Sequence, residues 1–170
     1  VLSRSNIVSF TFIFMEKEPG YRLNVGLIII NDKGKLLLCK RKDINSWQFP
    51  QGGIDFGETP LKAAKRELFE EVGIEGSSVR IIGSMKDWIK YDIPKENRKK
   101  RLLQKNFKGQ KQKWFIVKFT GSESEININT LHAEFIEWKW VDAEMLPKII
   151  VEFKKDLYLN LLKEIKLVIS

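Results

Sequence analysis

Two runs of branched apolar residues, separated by a polar turn, lie near the start of the chain. Residues 24–30 read NVGLIII and residues 35–41 read KLLLCKR, and the NDKG between them suits a tight turn. The pattern therefore predicts a β-hairpin. A short extended segment at 46–50 follows it, with Trp47 and Phe49 on one face.

After the glycine-rich turn at 51–58, the apolar residues recur with the spacing of an α-helix. Thr59 and Pro60 suit an N-cap and the first helical position, and Gly73 suits the helix stop. The spacing predicts one apolar stripe, formed by Leu61, Ala64, Leu68 and Val72. The neighbouring face carries three carboxylates around the small Ala63, namely Glu67, Glu70 and Glu71. The predicted helix thus has separate apolar and acidic sides.

Aromatic and branched residues dominate the pattern after this helix. Residues 79–93, 112–119 and 136–141 alternate well enough to predict strands. Apolar spacings of three and four then predict a long C-terminal amphipathic helix that uses Ile150, Phe153, Leu157, Leu161 and Ile165. These elements predict an α+β protein with a mixed sheet flanked by helices.

Length and composition favour one soluble domain, expected over residues 15–170. The chain has 170 residues, 43% of them hydrophobic. No apolar run approaches the ~20 residues that a membrane span needs, so no membrane partner is expected. Cys39 is the only cysteine, which excludes an intrachain disulfide and suits the reducing cytoplasm. Residues 1–14 are expected to be an extension, either upstream of a working start at Met15 or as an added strand or arm.

The positive charge of the chain is concentrated in one stretch. The formal net charge is +8. Residues 95–113 contain nine Lys or Arg and one Glu, so this stretch carries the whole excess. Such a run is either a solvated loop or a surface for a polyanionic partner, and a polyanion explains its concentration better.

The three glutamates of the predicted helix allow two interpretations. On a surface helix their repulsion costs only ~0.2 to 0.5 kcal/mol per pair, which a solvated face tolerates. Three carboxylates on a small-residue floor also suit Mg²⁺, which takes oxygen ligands from one or two carboxylates and from substrate phosphates. A zinc site is not expected, because His132 is the only histidine and no cysteine cluster exists.

The spacing of these residues carries a resemblance to a known family. Every fixed position of the pattern G-x5-E-x7-R-E-U-x-E-E-x-G-U, with U apolar, is filled by Gly52, Glu58, Arg66, Glu67, Leu68, Glu70, Glu71, Gly73 and Ile74. On these residues the chain resembles the Nudix hydrolases. The resemblance implies the Nudix fold, an α/β/α sandwich whose mixed central sheet supports a loop-helix-loop box. It also implies hydrolysis of a nucleoside diphosphate linked to another group.

The likeness extends to GYRLNVG, SWQFPQGG, GQKQKWF, AEF and FKKDLY, over roughly residues 19–165. These segments resemble the bacterial RNA pyrophosphohydrolase subgroup, also described as dinucleoside polyphosphate hydrolases. The first hypothesis is therefore an RNA 5′-pyrophosphohydrolase that leaves a 5′-monophosphate, releases pyrophosphate and promotes RNA decay. A hydrolase of free diadenosine polyphosphates is the alternative. A nucleic-acid-binding module with an inactive box is a third, against which the intact box argues.

The resemblance implies roles for the acidic residues and the box. Glu67 and Glu71 would be the main metal ligands, with contributions from Glu70, the Gly52 carbonyl and Glu134. The expected cofactor is Mg²⁺ or Mn²⁺, more than one ion with substrate bound. The only histidine, His132, is not part of the box, and the candidate bases are Glu70, Glu71 and Glu134. The expected scaffold of the box is Gly52, Gly53, Glu58, Arg66 and Gly73, with an ion pair between Glu58 and Arg66.

Residues outside the box are expected to choose the substrate, which is 5′-triphosphate RNA or a dinucleoside polyphosphate. Arg22, Arg41 and Lys113 suit a triphosphate, because Lys and Arg commonly bind phosphate. The resemblance suggests contacts to phosphate or to the first bases for Ser46, Tyr91 and Phe153. Tyr91 and Phe153 are equally compatible with ordinary core packing, and Arg41 with a plain surface charge.

Overall fold

A computed structural model describes residues 17–99 and 106–170, and the predicted extension over residues 1–14 lies outside them. The described strands are β1 (Tyr21–Ile30), β2 (Leu36–Arg41), β3 (Trp47–Gln48), β4 (Gln51–Gly53), β5 (Val79–Ser84), β6 (Ile89–Asp92), β7 (Gly109–Phe119) and β8 (Phe135–Val141). The described α-helices are α1 (Pro60–Val72), α2 (Leu146–Ile149) and α3 (Lys155–Ile169).

One mixed sheet organises the described strands. Its main order is β3-β2-β1-β7-β5, with β4 paired to β1, β6 to β7 and β8 to β2. β1 and β7 run parallel, and the other pairs are antiparallel. The predicted hairpin is confirmed, since β1 and β2 pair antiparallel across the turn at 31–34.

Helices cover both faces of the sheet. α1 packs on the face that presents Leu27 and Val117, while α3 packs on the face that presents Trp114 and Ile116. The predicted α+β class, with a mixed sheet between helices, is therefore confirmed. On the α3 side the Phe49 and Tyr158 rings stack with their centroids 5.0 Å apart. This contact fixes the segment before β4, which carries the first glycines of the box.

The caps of α1 agree with the prediction, and so do three residues of its apolar stripe, Ala64, Leu68 and Val72, but Leu61 does not. The Lys62 amide donates to Thr59 Oγ1 over 3.2 Å, and Gly73 closes the helix at φ 69°. Leu61 was expected in the core and is 43% exposed. It lies in the first turn at the rim of a groove between α1 and β5, because the helix turns Ala63 toward the sheet instead.

Two predicted boundaries are also wrong. The strand expected over residues 79–93 is divided into β5 and β6 by a bend at residues 86–87. The C-terminal helix begins at Lys155, since Ile150 is extended and forms a bridge with Trp47. The apolar spacing correctly predicted a buried stripe, although Ile150 is extended and the half-buried Phe153 lies in a short 3₁₀ turn before α3.

Candidate active site

A cleft of about 380 Å³ opens where α1, β1, β4 and β7 meet. Its lining brings together eleven predicted site residues: Arg22, Arg41, Gly52, Gly53, Arg66, Glu67, Glu70, Glu71, Tyr91, Glu134 and Phe153. The cleft therefore collects acidic residues of the helix and cationic residues of the strands in one place. Glu58 and Gly73 lie beside the helix and outside this lining.

Arg66 holds the acidic face of the helix in place. Its Nε and Nη2 atoms donate to the two carboxylate oxygens of Glu58, each over 2.9 Å. Its Nη2 atom also donates to the Gly53 carbonyl over 2.8 Å. Its Nη1 atom donates to Glu67 Oε1 over 2.8 Å and to Glu70 Oε2 over 2.9 Å. The guanidinium thus ties the box loop to the helix, a wider contact than the expected pair with Glu58.

Burial and mutual repulsion shape the charges of the two innermost glutamates. Burial, together with the charges of Glu134 and Glu67, raises the pKa of Glu71 to about 8. Burial also raises the pKa of Glu67, against the opposing charge of Arg66. No described residue donates to the buried Oε2 atom of Glu71. The positive charges near Glu67 and Glu71 are therefore too few to offset their burial and mutual repulsion.

The donor set fits a hard divalent cation. Its oxygens come from carboxylates, and the orphaned Glu71 Oε2 atom is the kind of buried acceptor that a bound cation would satisfy. Across residues 17–99 and 106–170, no three His, Cys, Asp or Glu side chains are gathered closely enough to hold an ion as they stand. Arg66 between Glu67 and Glu70, and Lys99 on Glu134, occupy the carboxylates instead.

Gly52 leaves space for the Glu67 carboxylate. A Cβ atom on Gly52 would lie 1.9 Å from Glu67 Cδ and 2.0 Å from Oε1. We therefore expect Gly52→Ala to displace this carboxylate and to reduce kcat by at least about 10-fold, the usual scale when the support of a metal ligand, the role expected for Glu67, is disturbed. Steady-state kinetics measure this. Gly76→Ala is the control, because no atom lies within 4 Å of a Cβ there. Equal activities of the two variants would contradict the prediction.

Two predicted substrate residues do not line the cleft. Lys113 follows the cleft-side Gln112 on β7, so strand alternation points it to the other face. There its Nζ atom donates to the carbonyl groups of Met85 and Lys86, over 2.5 and 2.9 Å. Ser46 is buried, and its carbonyl accepts from the Arg41 amide over 2.9 Å.

Lys154 lines the cleft and was not singled out from the sequence. Its Nζ atom donates to Gln48 Oε1 over 2.8 Å and lies 5.8 Å from the Tyr91 ring centroid. Burial, followed by the charges of Arg41 and Lys99, lowers its pKa to about 7. A signal existed, because Lys154 lies three and seven residues before Leu157 and Leu161, on the apolar stripe.

This buried ammonium group predicts a pH-dependent stability. The folded-state pKa of Lys154 lies near 7, below its ordinary value of 10.5, so the unfolded chain binds more protons between these values. The free energy of unfolding should therefore rise from pH 7 toward pH 10 by a contribution that Lys154→Met lacks. Urea unfolding at pH 6.5 and 9.5 measures it. The exposed Lys163→Met should keep the wild-type pH dependence, and the same dependence in Lys154→Met would contradict the account.

A buried amide network forms the floor of the cleft. Gln112 Nε2 donates to Asn24 Oδ1 over 2.7 Å and to Gln110 Oε1 over 3.1 Å. The Tyr91 hydroxyl donates to the same Gln110 oxygen over 2.7 Å. Burial raises the pKa of Tyr91, so its hydroxyl stays protonated as a donor. These polar residues come from three strands, and no local sequence pattern brings them together.

The box, its glutamates and this sheet match a class of hydrolases that act on phosphoric anhydrides. Residues 20–161 match the NUDIX domain model, and the chain belongs to the Nudix family. Members of this family generally use divalent metal ions.

Two curated relatives are called RNA pyrophosphohydrolase. The protein from Rickettsia bellii is 47% identical over 152 residues, which cover 88% of this chain and 92% of that protein. The protein from Shewanella woodyi is 44% identical over 155 residues, which cover 88% of this chain and 87% of that one.

Solved structures share the fold at lower identity. The E. coli dihydroneopterin triphosphate pyrophosphohydrolase matches with a TM-score of 0.66 at 20% identity, covering 85% of this chain and 98% of that one. A C. elegans Ap4A hydrolase complex matches with a TM-score of 0.59 at 20% identity, covering 84% of this chain and 98% of that one. The Nudix fold expected from the sequence is thus confirmed.

Proposed function

We propose that the protein is an RNA 5′-pyrophosphohydrolase, which converts 5′-triphosphate ends to 5′-monophosphate ends with release of pyrophosphate. One observation carries the proposal: the box carboxylates and a set of cationic side chains line the same cleft. The cations are Arg22, Arg41, Lys99 and Lys154. A polyphosphate needs both, because its charge must be neutralised while a water is positioned against one phosphorus.

The chain's own residues divide these tasks. Glu67, Glu70 and Glu71 on α1, with the Gly52 carbonyl and Glu134, are the proposed holders of Mg²⁺ or Mn²⁺, with more than one ion when substrate is bound. Such a cation would neutralise phosphate charge and make the attacking water more acidic. Glu70, Glu71 and Glu134 are the candidate groups to accept the proton of that water. Arg66 and Gly52 keep the carboxylates in position.

The cationic side of the cleft is proposed to bind the triphosphate and the first nucleotides. Arg41 is buried, and its Nε atom donates to Asp43 Oδ1 over 2.7 Å, which fixes its guanidinium. Tyr91 and Phe153 lie next to Lys154, close to where a phosphate bound by that ammonium group would lie. Arg22 lies over Gly53, where a Cβ would come within 2.0 Å of its Nη2 atom. Ser46 and Lys113 do not line the cleft, so their proposed contacts with substrate need a local rearrangement. Lys113 would have to leave the carbonyl groups of Met85 and Lys86.

RNA is favoured over a free dinucleotide by the basic stretch at 95–113. A dinucleoside polyphosphate needs no extended basic surface, whereas an RNA chain continues beyond the cleft and is attracted by one. The names of the two curated relatives support the same choice.

Salt dependence tests this choice. With Mg²⁺ fixed, kcat/KM for 5′-triphosphate RNA should fall with a log-log slope of about −3, as expected if four cations contact a single strand. Diadenosine tetraphosphate should give a lower kcat/KM and a shallower slope. A clear preference for the dinucleotide would support the alternative hydrolase, and no turnover of either would support the nucleic-acid-binding module.

A further inference from the structure

Lys99 belongs to the basic stretch at 95–113 and lines the cleft. Its Nζ atom donates to both carboxylate oxygens of Glu134, over 2.9 and 3.0 Å. It also lies 3.9 Å from Asp43 Oδ2. In residues 17–99 and 106–170, Lys99 is the only side chain that donates to Glu134. Among the described residues, one ammonium group therefore orients this carboxylate.

The main chain of Glu134 is held separately. Its carbonyl accepts from the Lys42 amide over 3.1 Å, beside the Arg41 and Asp43 pair. The Lys99 and Glu134 side chains are each 41% exposed. Ion pairs of this exposure are weak and typically shift an equilibrium by less than about fivefold, so the pair can exchange without disturbing the backbone. A phosphate carries more negative charge than a carboxylate and is a competing partner for the ammonium group.

We propose that Lys99 is a positioning residue for Glu134, which neutralises this carboxylate in the free enzyme and releases it when a polyphosphate attracts the ammonium group. Arrival of the RNA end is thereby coupled to completion of the acidic centre. The proposal rests on the proposed function for its substrate, but its first consequence concerns the free enzyme. Lys99 competes with divalent cations for Glu134, so substrate-free enzyme binds them more weakly than its carboxylates alone would allow.

Calorimetric titration of the full chain with Mn²⁺ tests this competition without substrate. Lys99→Met should tighten Mn²⁺ binding by roughly two- to fivefold, as expected from a half-exposed ion pair. Lys99→Arg should retain the wild-type affinity, because it keeps the charge. Lys95→Met, which removes a charge from the same segment outside the cleft, is the matched control and should leave the Mn²⁺ affinity unchanged.

A double-mutant cycle with Glu134→Gln separates an action through Glu134 from a general charge effect. In the Glu134→Gln background, Lys99→Met should leave the Mn²⁺ affinity unchanged. An equal tightening in both backgrounds, or no tightening in either, would overturn the proposal.

Substrate kinetics test whether Lys99 moves from Glu134 to the substrate phosphate. Lys99→Met should raise KM for 5′-triphosphate RNA by roughly two- to fivefold, with kcat less affected, because the phosphate loses a partner. An unchanged KM would overturn the transfer of Lys99 to substrate. Failure of the proposed function would instead appear as wild-type enzyme without RNA turnover, whatever the Mn²⁺ titrations give.

Discussion

Replacing Glu71 by Gln is expected to lower kcat on 5′-triphosphate RNA by roughly 10²- to 10⁴-fold, the range for loss of a positioned proton acceptor. The side chain is 5% exposed, and its Oε2 atom has no partner among the described residues. An amide of the same shape keeps the packing but supplies neither the negative charge nor the basicity.

The fold should survive this replacement. Burial penalises the charged form of Glu71, so a neutral amide in metal-free protein should not lower the unfolding temperature. Glu75→Gln is the matched control, since Glu75 is exposed just beyond the same helix and should retain full activity. Single-turnover kinetics and thermal unfolding measure the two effects. An active Glu71→Gln enzyme would mean that the acidic centre is assigned wrongly.

Arg66→Ala is expected to reduce both stability and activity. The guanidinium satisfies Glu58, Glu67 and Glu70 and the Gly53 carbonyl, and its removal leaves the buried Glu67 without its charge partner. Breaking a largely buried pair in this way costs about 2 to 4 kcal/mol. Because Arg66 supports the proposed metal ligands, kcat should also fall by roughly 10- to 100-fold.

Lys65→Ala is the comparison for this variant, because Lys65 is the exposed neighbour on the same helix. Urea unfolding at pH 7 gives the stability, and kinetics at saturating Mg²⁺ give the activity. If Arg66→Ala were as stable as Lys65→Ala, the bracing role of the guanidinium would be wrong.

The sequence predicted those parts of the fold that depend on local pattern. Thr59 and Gly73 marked the ends of α1, and the NDKG turn marked the hairpin, because caps and turns depend on a few adjacent residues. The start of α3 was missed, because the bridge between Ile150 and Trp47 joins residues about one hundred positions apart. Leu61 was misplaced, since angular spacing does not determine how a helix is rotated against its sheet.

In the candidate site, too, only the residues that share one chain segment could be predicted from local pattern. The box residues are fixed by spacing along one chain segment, and the structure places its glutamates together in the cleft. The opposing cations come from distant parts of the chain, so the neighbours of Lys99 did not reveal its place in the cleft. Lys154 could have been noticed, because it lies on the apolar stripe of the C-terminal segment. The substrate contact of Lys113 stays a prediction, because a motif gave its position but not the partners of its ammonium group, which donates to the Met85 carbonyl.

Product analysis of 5′-triphosphate RNA tests the central claim most directly. The full chain is incubated with Mg²⁺ and RNA labelled in its α- and γ-phosphates, and the products are separated. We expect one pyrophosphate to be released for each 5′-monophosphate end formed, and Glu71→Gln to be nearly inactive in the same assay. Intact triphosphate ends under conditions in which diadenosine tetraphosphate is rapidly hydrolysed would contradict it.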